Sequence, residues 1–329
     1  MASLEVLFRV LPDKISKIDY SIVSDDRIYT PTRFVKFKPN YTRVWTGLGP
    51  PTVWHFNNLG YRERDIKIEK PENIFRIAVI GDSLVLGFGV EDFEAFPRRL
   101  EQILKPEVFD TGMTHFEVIN LGVQGYSSPQ YLAVLKEDAL RLTPEIVIVT
   151  VYPSNDLLGA VGFWKDKKYT NLMAVPDFIP FPINQFLKES SKAYLFLLTK
   201  YYTFAKRFQS DFTPSDKSNE EGWPIVESDL KDMQKSAVER GTKLVLLPIP
   251  RPKEVSAELN LQDTQKLVDI ARRLNIIYYD PTRDLKKYKN VHELYLPDLD
   301  DHFSVKGNEY LAFLLAKFLW EEGLTPKQP

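Results

Sequence analysis

From Arg76 onward, short apolar runs alternate with segments whose apolar residues recur at helical spacing. Short, continuously apolar runs that end in glycine or polar residues are typical of buried parallel strands. The predicted strands are Ile77–Ile80, Val118–Leu121, Ile146–Val151, Leu244–Leu247 and Ile276–Tyr279. The predicted helices are Glu94–Leu104, Pro129–Leu142 with Ser128 as its cap, Ser228–Arg240, Asp263–Leu274 and Val305–Glu322. This alternation predicts a three-layer α/β/α fold with a central parallel sheet and helices on both faces.

Two regions depart from the alternation. Residues 1–70 are polar, aromatic and proline-rich, and we expect them to form an irregular N-terminal arm packed on the core. Residues 71–329 form the predicted domain, which carries an insertion over 157–225 with a helix near Ser191–Phe208. Because the insertion leaves a strand end, its aromatic residues are candidates for lining an acyl or sugar pocket, or for a packed cluster that only shields the domain. They are Phe163, Trp164, Phe178, Phe181 and Phe186.

The N-terminal segment Leu4–Leu11 is apolar but short, and Pro12 follows it. No run of the sequence reaches the roughly 18 apolar residues that span a bilayer. Two interpretations stand for this segment: an amphipathic stretch that packs on the domain, or the remnant of an upstream membrane anchor.

The composition of the chain excludes several kinds of partner and active site. The net charge is −2, from 43 basic and 45 acidic residues, so no global field favours a nucleic-acid partner. Cysteine is absent, which excludes thiol nucleophiles and cysteine-ligated zinc. The four histidines are scattered without a metal-ligand spacing, and no phosphate-binding glycine motif is present. We therefore expect neither a metal nor a cofactor.

Polar residues stand at the end of each of the first three predicted strands. Asp82-Ser83 follows the first, Asn120-Leu121-Gly122 closes the second, and Asn155-Asp156 follows the third. Ligands bind beyond the carboxyl ends of parallel strands, where a serine could act as nucleophile while glycine N–H groups and an amide stabilise an oxyanion. Taken singly, each feature also fits an ordinary helix cap or turn.

A fourth feature lies directly before the last predicted helix, in the acidic loop Leu296–Ser304. Within it, His302 has carboxylates nearby at Asp298, Asp300 and Asp301. A histidine in such a loop is a candidate general base, although a solvated loop capped by Ser304 is the plainer interpretation.

The four features together resemble the SGNH (GDSL-lipase-like) hydrolase superfamily, whose blocks carry Ser, Gly, Asn and His in that order. Ser83, Gly122, Asn155 and His302 match these blocks, and the resemblance covers about Arg76 to Glu322. Asn57–Arg62 (NNLGYR) also resembles a stretch that precedes the first block in many bacterial members. The resemblance implies a flavodoxin-like fold and an esterase without a cofactor.

The resemblance also implies roles for the matched residues. Ser83 attacks an ester carbonyl, His302 removes its proton, and Asp300 orients the imidazole. The N–H groups of Ser83 and Gly122 and the Asn155 side chain form the oxyanion hole. The implied substrate is a small-molecule or saccharide ester carrying a short acyl group. Similarity to bacterial members with an N-terminal anchor favours an extracytoplasmic location over a cytoplasmic one.

Two departures from the pattern leave alternatives open. Pro153 stands where the third block usually has glycine, and Leu299 stands where many members have the acid three residues before histidine. Asp300 is our choice for the acid because a D-x-H form also occurs, and Asp298 is the alternative. An O-acyltransferase that uses the same site and a non-catalytic carbohydrate-binding protein remain alternatives for the activity. A metal-dependent phosphohydrolase built on Asp82, Asp298 and Asp300 lacks the expected motif and histidine ligands.

Overall fold

The fold is that of a computed structural model, which describes most of the predicted domain and part of the N-terminal arm. The described ranges are 27–30, 32–45, 51–105, 115–163, 216–256, 262–297 and 299–326, with isolated positions between 183 and 200 and residue 6.

The centre of the molecule is a sheet of 5 strands in the order β6-β5-β7-β8-β9, and every neighbouring pair is parallel. Its strands are β5 (Ile74–Ile80), β6 (His115–Asn120), β7 (Ile146–Val151), β8 (Lys243–Pro248) and β9 (Ile277–Tyr278). The apolar runs of the sequence therefore form strands as predicted, and the three-layer α/β/α class is confirmed.

Each face of the sheet has its own core, because successive side chains of a strand point to opposite faces. In β5, Ala78 and Ile80 pack in the cluster under helices α3, α5 and α7. Ile77 and Val79 pack in the other cluster, under helices α2 and α9. The helices are α1 (Ser83–Leu86), α2 (Phe96–Leu104), α3 (Ser128–Glu137), α4 (Pro153–Val161), α5 (Asp216–Val238), α6 (Pro252–Ser256), α7 (Gln262–Leu274), α8 (Thr282–Leu285) and α9 (Val305–Glu321).

The starts of α3 and α5 differ from the predicted ones, and each difference has a physical reason. Helix α3 is capped by Ser127 rather than Ser128, because Ser127 and Gln130 form a reciprocal capping box and leave Ser128 and Pro129 in the first turn. Helix α5 begins at Asp216, well before the predicted Ser228, and includes Pro224. Its apolar residues Trp223, Val226 and Leu230 join the sheet core, so packing extends the helix beyond its periodic part.

The described part of the arm is more regular than its sequence predicts. It forms two antiparallel hairpins, β1 (Arg27–Thr30) with β2 (Phe34–Phe37) and β3 (Tyr41–Trp45) with β4 (Thr52–Phe56). Three of their aromatic residues, Phe37, Trp54 and Phe56, are fully buried in the cluster under α3, α5 and α7. A further hairpin, β10 (Tyr295–Leu296) with β11 (Leu299–Phe303), lies before α9.

Among the helices in the described ranges, none is both long and apolar enough to cross a membrane.

Candidate active site

The candidate nucleophile stands at the carboxyl end of β5. Ser83 is the first residue of the four-residue helix α1, and Asp82 caps that helix by accepting a bond from the Leu84 N–H at 2.9 Å. The turn is tight: a side chain at Gly81 would begin 2.1 Å from the Thr150 hydroxyl oxygen. As the first N–H of a helix, the Ser83 N–H has no carbonyl partner within α1 and can serve an oxyanion.

The candidate base reaches Ser83 from the hairpin β10–β11. The His302 Nε2 atom lies 2.9 Å from the Ser83 Oγ atom, although the two residues are 219 positions apart in sequence. This separation allows a hydrogen bond and direct proton transfer. The ring of Phe88 packs against the imidazole, with 5.1 Å between ring centroids. Two residues that the sequence assigns to one site are thus in contact.

The second block lies beside helix α1. Asn120 ends β6, and its side chain donates to the Val85 carbonyl at 2.8 Å and accepts from the Gly122 N–H at 2.9 Å. A side chain at Gly122 would begin 2.3 Å from the Leu86 nitrogen, so only glycine fits there. The Gly122 N–H is therefore close to α1, and its hydrogen is engaged by Asn120.

The third block follows β7 at the start of helix α4. Pro153 occupies the first turn of α4, a position where proline is favoured because its missing N–H would have no partner there. The Asn155 Nδ2 atom donates to Asp82 at 2.9 Å, which places the amide beside the nucleophile turn and leaves its second N–H hydrogen for another acceptor. The neighbouring Asp156 is fully buried and accepts from the Tyr131 hydroxyl at 2.9 Å and the Tyr152 N–H at 2.8 Å.

The electrostatics of the site are set by burial. Burial raises the pKa of Asp82, and the hydrogen bonds from Asn155 and Leu84 and the nearby His302 oppose that rise. Burial lowers the pKa of His302, while the charges of Asp82 and Asp301 raise it. A buried imidazole with a lowered pKa is neutral near pH 7, which is the form that accepts a proton.

The candidate acids are described only in part. Asp300 and His302 both belong to strand β11, but the Asp300 side chain and all of Asp298 lie outside the described residues. Asp301 is described, and together with burial its charge raises the pKa of Tyr152 and Tyr295. The roles of Asp300 and Asp298 remain predictions.

The insertion is described only in part. Trp164, Phe178 and Phe181 lie outside the described residues. Phe163 is partly buried after α4, and Phe186 is 68% exposed. The predicted aromatic lining of a pocket remains a prediction.

Sequence reasoning missed the residues that hold the blocks in place. Asp82 was interpreted as a turn former or a metal ligand, whereas it joins the Ser83 turn to Asn155. Arg62 and Glu63, in and beside the NNLGYR motif, are buried and bond to residues next to the site. The resemblance of that motif to a bacterial stretch was the available signal. Within the described residues, no group of three or more potential metal ligands converges.

Comparisons with known proteins give structural neighbours only. No family model matches the chain, and no curated protein sequence matches it. A lipolytic protein of the G-D-S-L family from Desulfitobacterium hafniense has 15% identity and a TM-score of 0.43, over 74% of this chain and 98% of its own. An acetylxylan esterase from Geobacillus stearothermophilus has 16% identity and a TM-score of 0.45, over 80% of this chain and 100% of its own. A lipase/acylhydrolase from Enterococcus faecalis has 17% identity and a TM-score of 0.44, over 78% of this chain and 100% of its own.

The names of these neighbours include the GDSL family that the four sequence blocks resemble. The parallel sheet and its two helical layers define the fold of this chain. The contact between Ser83 and His302 is the feature of the site that bears on its chemistry.

Proposed function

We propose that this chain is a serine esterase that removes a short acyl group from a carbohydrate or another small hydroxylated molecule. The observation that carries the proposal is the 2.9 Å contact between the Ser83 Oγ and the His302 Nε2. It joins a serine at a strand end to a buried imidazole, which is the pairing that activates a hydroxyl for nucleophilic attack.

In the proposed reaction, His302 takes the proton of Ser83 as the Oγ atom bonds to the ester carbonyl carbon. The tetrahedral intermediate collapses when its C–O bond to the alcohol breaks and His302 returns the proton to the leaving oxygen. Water, deprotonated by His302, then attacks the acyl carbon. The bond from that carbon to the Ser83 Oγ atom breaks, His302 returns the proton to the Oγ atom, and the acid is released.

The oxyanion is stabilised by N–H donors at the same edge of the sheet. The Ser83 N–H and the second hydrogen of the Asn155 amide are the main donors that we propose, because neither requires an existing bond to break. The Gly122 N–H contributes by sharing the hydrogen that it gives to Asn120. Loss of one such donor typically raises a barrier by about 3 kcal/mol.

We propose Asp300 as the residue that orients His302. Both positions belong to β11 and have the D-x-H spacing on which the sequence-based choice rests. Asp301 is directly adjacent to His302, and the side chains of adjacent residues diverge. Asp298 remains the alternative.

The proposal is tested by labelling the folded protein with a fluorophosphonate and by assaying a panel of short-chain esters and acetylated sugars. We expect stoichiometric labelling that disappears in Ser83→Ala. Ser128→Ala is the matched control, because Ser128 is also buried and bonded to a carboxylate, that of Asp229 at 2.7 Å. Folded wild-type protein that resists labelling would contradict the proposal. Mass analysis with an added acceptor sugar separates hydrolysis from acyl transfer.

A further inference from the structure

The NNLGYR motif of the arm contacts the turn that follows the candidate nucleophile. Arg62 is 1% exposed and lies between β4 and that turn. Its Nη1 atom donates to the Gly87 carbonyl at 2.6 Å, and its Nη2 atom donates to the Val90 carbonyl at 2.8 Å and the Val53 carbonyl at 3.2 Å. One guanidinium thus holds the arm and both ends of the segment Gly87–Val90.

The residue held between those two carbonyls is Phe88. Its N–H donates to the Ser83 carbonyl at 3.0 Å, so the turn is also tied to the start of α1. Gly87 has φ 80° and Gly89 has φ 83°, backbone conformations that favour glycine. These bonds and dihedral angles fix the direction in which the Phe88 ring leaves the turn.

The Phe88 ring connects the arm to the candidate base. It packs edge-on against Trp45 and Trp54 of the arm, at centroid distances of 5.2 Å and 5.7 Å. Its contact with His302 is at 5.1 Å. The Arg62 guanidinium lies over the Trp54 ring, with its carbon 5.2 Å from the centroid. A continuous set of contacts therefore runs from Arg62 to the imidazole.

We propose that Arg62 and Phe88 are positioning residues, in which Arg62 fixes the turn after α1 so that the Phe88 ring holds the His302 imidazole against Ser83. This inference rests on the proposed function of Ser83 and His302. It assigns the arm, and the NNLGYR motif in particular, to the catalytic geometry of the domain.

Phe88 also bears on protonation, because its ring packs against the His302 imidazole and contributes to the burial that lowers the pKa of His302. The charged and titratable groups that act on His302 in the described residues are Asp82 and Asp301, and both favour its charged form. Those nearest Arg62 are Glu91, Asp92 and Glu94, which oppose the effect of burial on the Arg62 pKa. Removing the Phe88 ring hydrates the imidazole, so the pKa of His302 should rise toward its ordinary value.

The test compares Arg62→Met with Arg76→Met. Arg76 is a matched control because it is 0% exposed and also donates to backbone carbonyls, those of Leu142 at 2.7 Å and Lys67 at 3.1 Å, but at the opposite end of the sheet. At a temperature where both variants are folded, we expect Arg62→Met to lower kcat for p-nitrophenyl acetate by roughly 10- to 100-fold, the cost of a displaced catalytic group. We expect the KM of Arg62→Met to change by less than about threefold. The kcat of Arg76→Met should also change by less than about threefold.

The mechanism is tested by titrating His302 by NMR, with His302→Gln used to assign its signal among the four histidines. Phe88→Ala and Arg62→Met should both raise the pKa of His302, and the acid limb of kcat/KM should move to higher pH with it. The fold reduction of kcat in the double variant Arg62→Met/Phe88→Ala should be no more than about twice that of the worse single variant, because both residues act through one contact. If Arg62→Met does not fold, Arg62→Lys, which keeps the charge and a donor, takes its place with a smaller shift in the same direction.

Equal loss of kcat in the Arg62 and Arg76 variants, or a His302 titration that both Arg62→Met and Phe88→Ala leave unchanged, would overturn the inference. If wild-type protein neither hydrolyses esters nor labels at Ser83, the proposed function fails separately. The NMR titration still decides in that case whether Arg62 acts on His302 through Phe88.

Discussion

The two ends of the central sheet hold their buried charges in different ways. At the amino end, acidic and basic side chains pair: Arg76 with Glu117 at 2.6 Å and Arg64 with Glu101 at 2.7 Å. At the carboxyl end, Asp82 and Asp156 are 1% and 0% exposed, and the bonds that hold them come from an amide, a hydroxyl and backbone N–H groups. In the part of the chain that the structure describes, neither carboxylate has a lysine or arginine partner.

This difference indicates which substitutions should affect stability and which should affect turnover. Removing one member of a buried ion pair leaves the other charge without its partner, which costs free energy. A carboxylate held only by neutral donors responds to nearby charges, and burial raises the pKa of both Asp82 and Asp156. Groups with shifted pKa values concentrate at functional sites. We therefore expect substitutions at the amino end to change unfolding, and substitutions at the carboxyl end to change turnover.

Substitution of the proposed catalytic pair should have the largest effect. Ser83→Ala and His302→Gln should each lower kcat by at least roughly 10³-fold, because neither can be replaced by the remaining groups. Their midpoints of thermal unfolding should stay close to that of wild type, since each removes only one hydrogen-bond partner. Steady-state hydrolysis of p-nitrophenyl acetate and thermal melts measure the two quantities. A variant that keeps a tenth of wild-type kcat would contradict the assignment.

Arg76→Met should give the opposite result at the amino end. It leaves Glu117 without its buried partner and three carbonyls without the Arg76 donor, so we expect a loss of about 3 kcal/mol in unfolding free energy. The kcat of the folded fraction should be unchanged. Urea unfolding monitored by circular dichroism measures the loss, and a fall in kcat at full folding would show that the two ends are not independent.

Asp82→Asn should lower kcat by roughly 10- to 100-fold, because its new NH₂ group faces the Asn155 amide that Asp82 now accepts from. The charge of Asp82 raises the pKa of His302. Its removal should therefore move the acid limb of kcat/KM to lower pH, the opposite direction to Phe88→Ala. The pH dependence of kcat/KM between pH 4 and 8 separates the two variants. A limb that moves upward in Asp82→Asn would be inconsistent with this electrostatic assignment.

Glu63 gives the smallest and most specific effect. Burial raises its pKa to about 7 from its ordinary value of 4.5, against the opposing effects of Arg64 and the N–H of Asn120. Between these values the folded state keeps a proton that the unfolded state releases, so stability falls as pH rises. From pH 5.5 to 6.5 this contribution should cost wild type at most about 1.4 kcal/mol. Glu63→Gln should lack it.

Urea titrations of both proteins at the two pH values give the comparison. If the difference in unfolding free energy between wild type and Glu63→Gln is the same at both pH values, the pKa of Glu63 is not raised and the assignment is wrong.

Much of the fold could be predicted because its strands are buried on both faces. The run Ile146–Val151 is apolar and largely β-branched, and β7 has the predicted bounds. The arm was harder to interpret, because its aromatic residues alternate in short hairpins that are stable only against the domain. The start of α5 was missed for a related reason, because its first turns are stabilised by packing on the core rather than marked by apolar residues at helical spacing.

For the candidate site, the residue types and their positions at strand ends were sufficient to nominate Ser83 and His302. Only the tertiary structure shows why glycine follows Asn120 and Leu121, since the turn beside α1 has no room for a side chain. Only the tertiary structure decided that the serine and the imidazole lie 2.9 Å apart and that Phe88 and Arg62 stand behind them. The spacing of residues along the sequence indicates which face or turn each one occupies. A contact between residues 219 positions apart depends instead on how the sheet and the hairpin pack against each other.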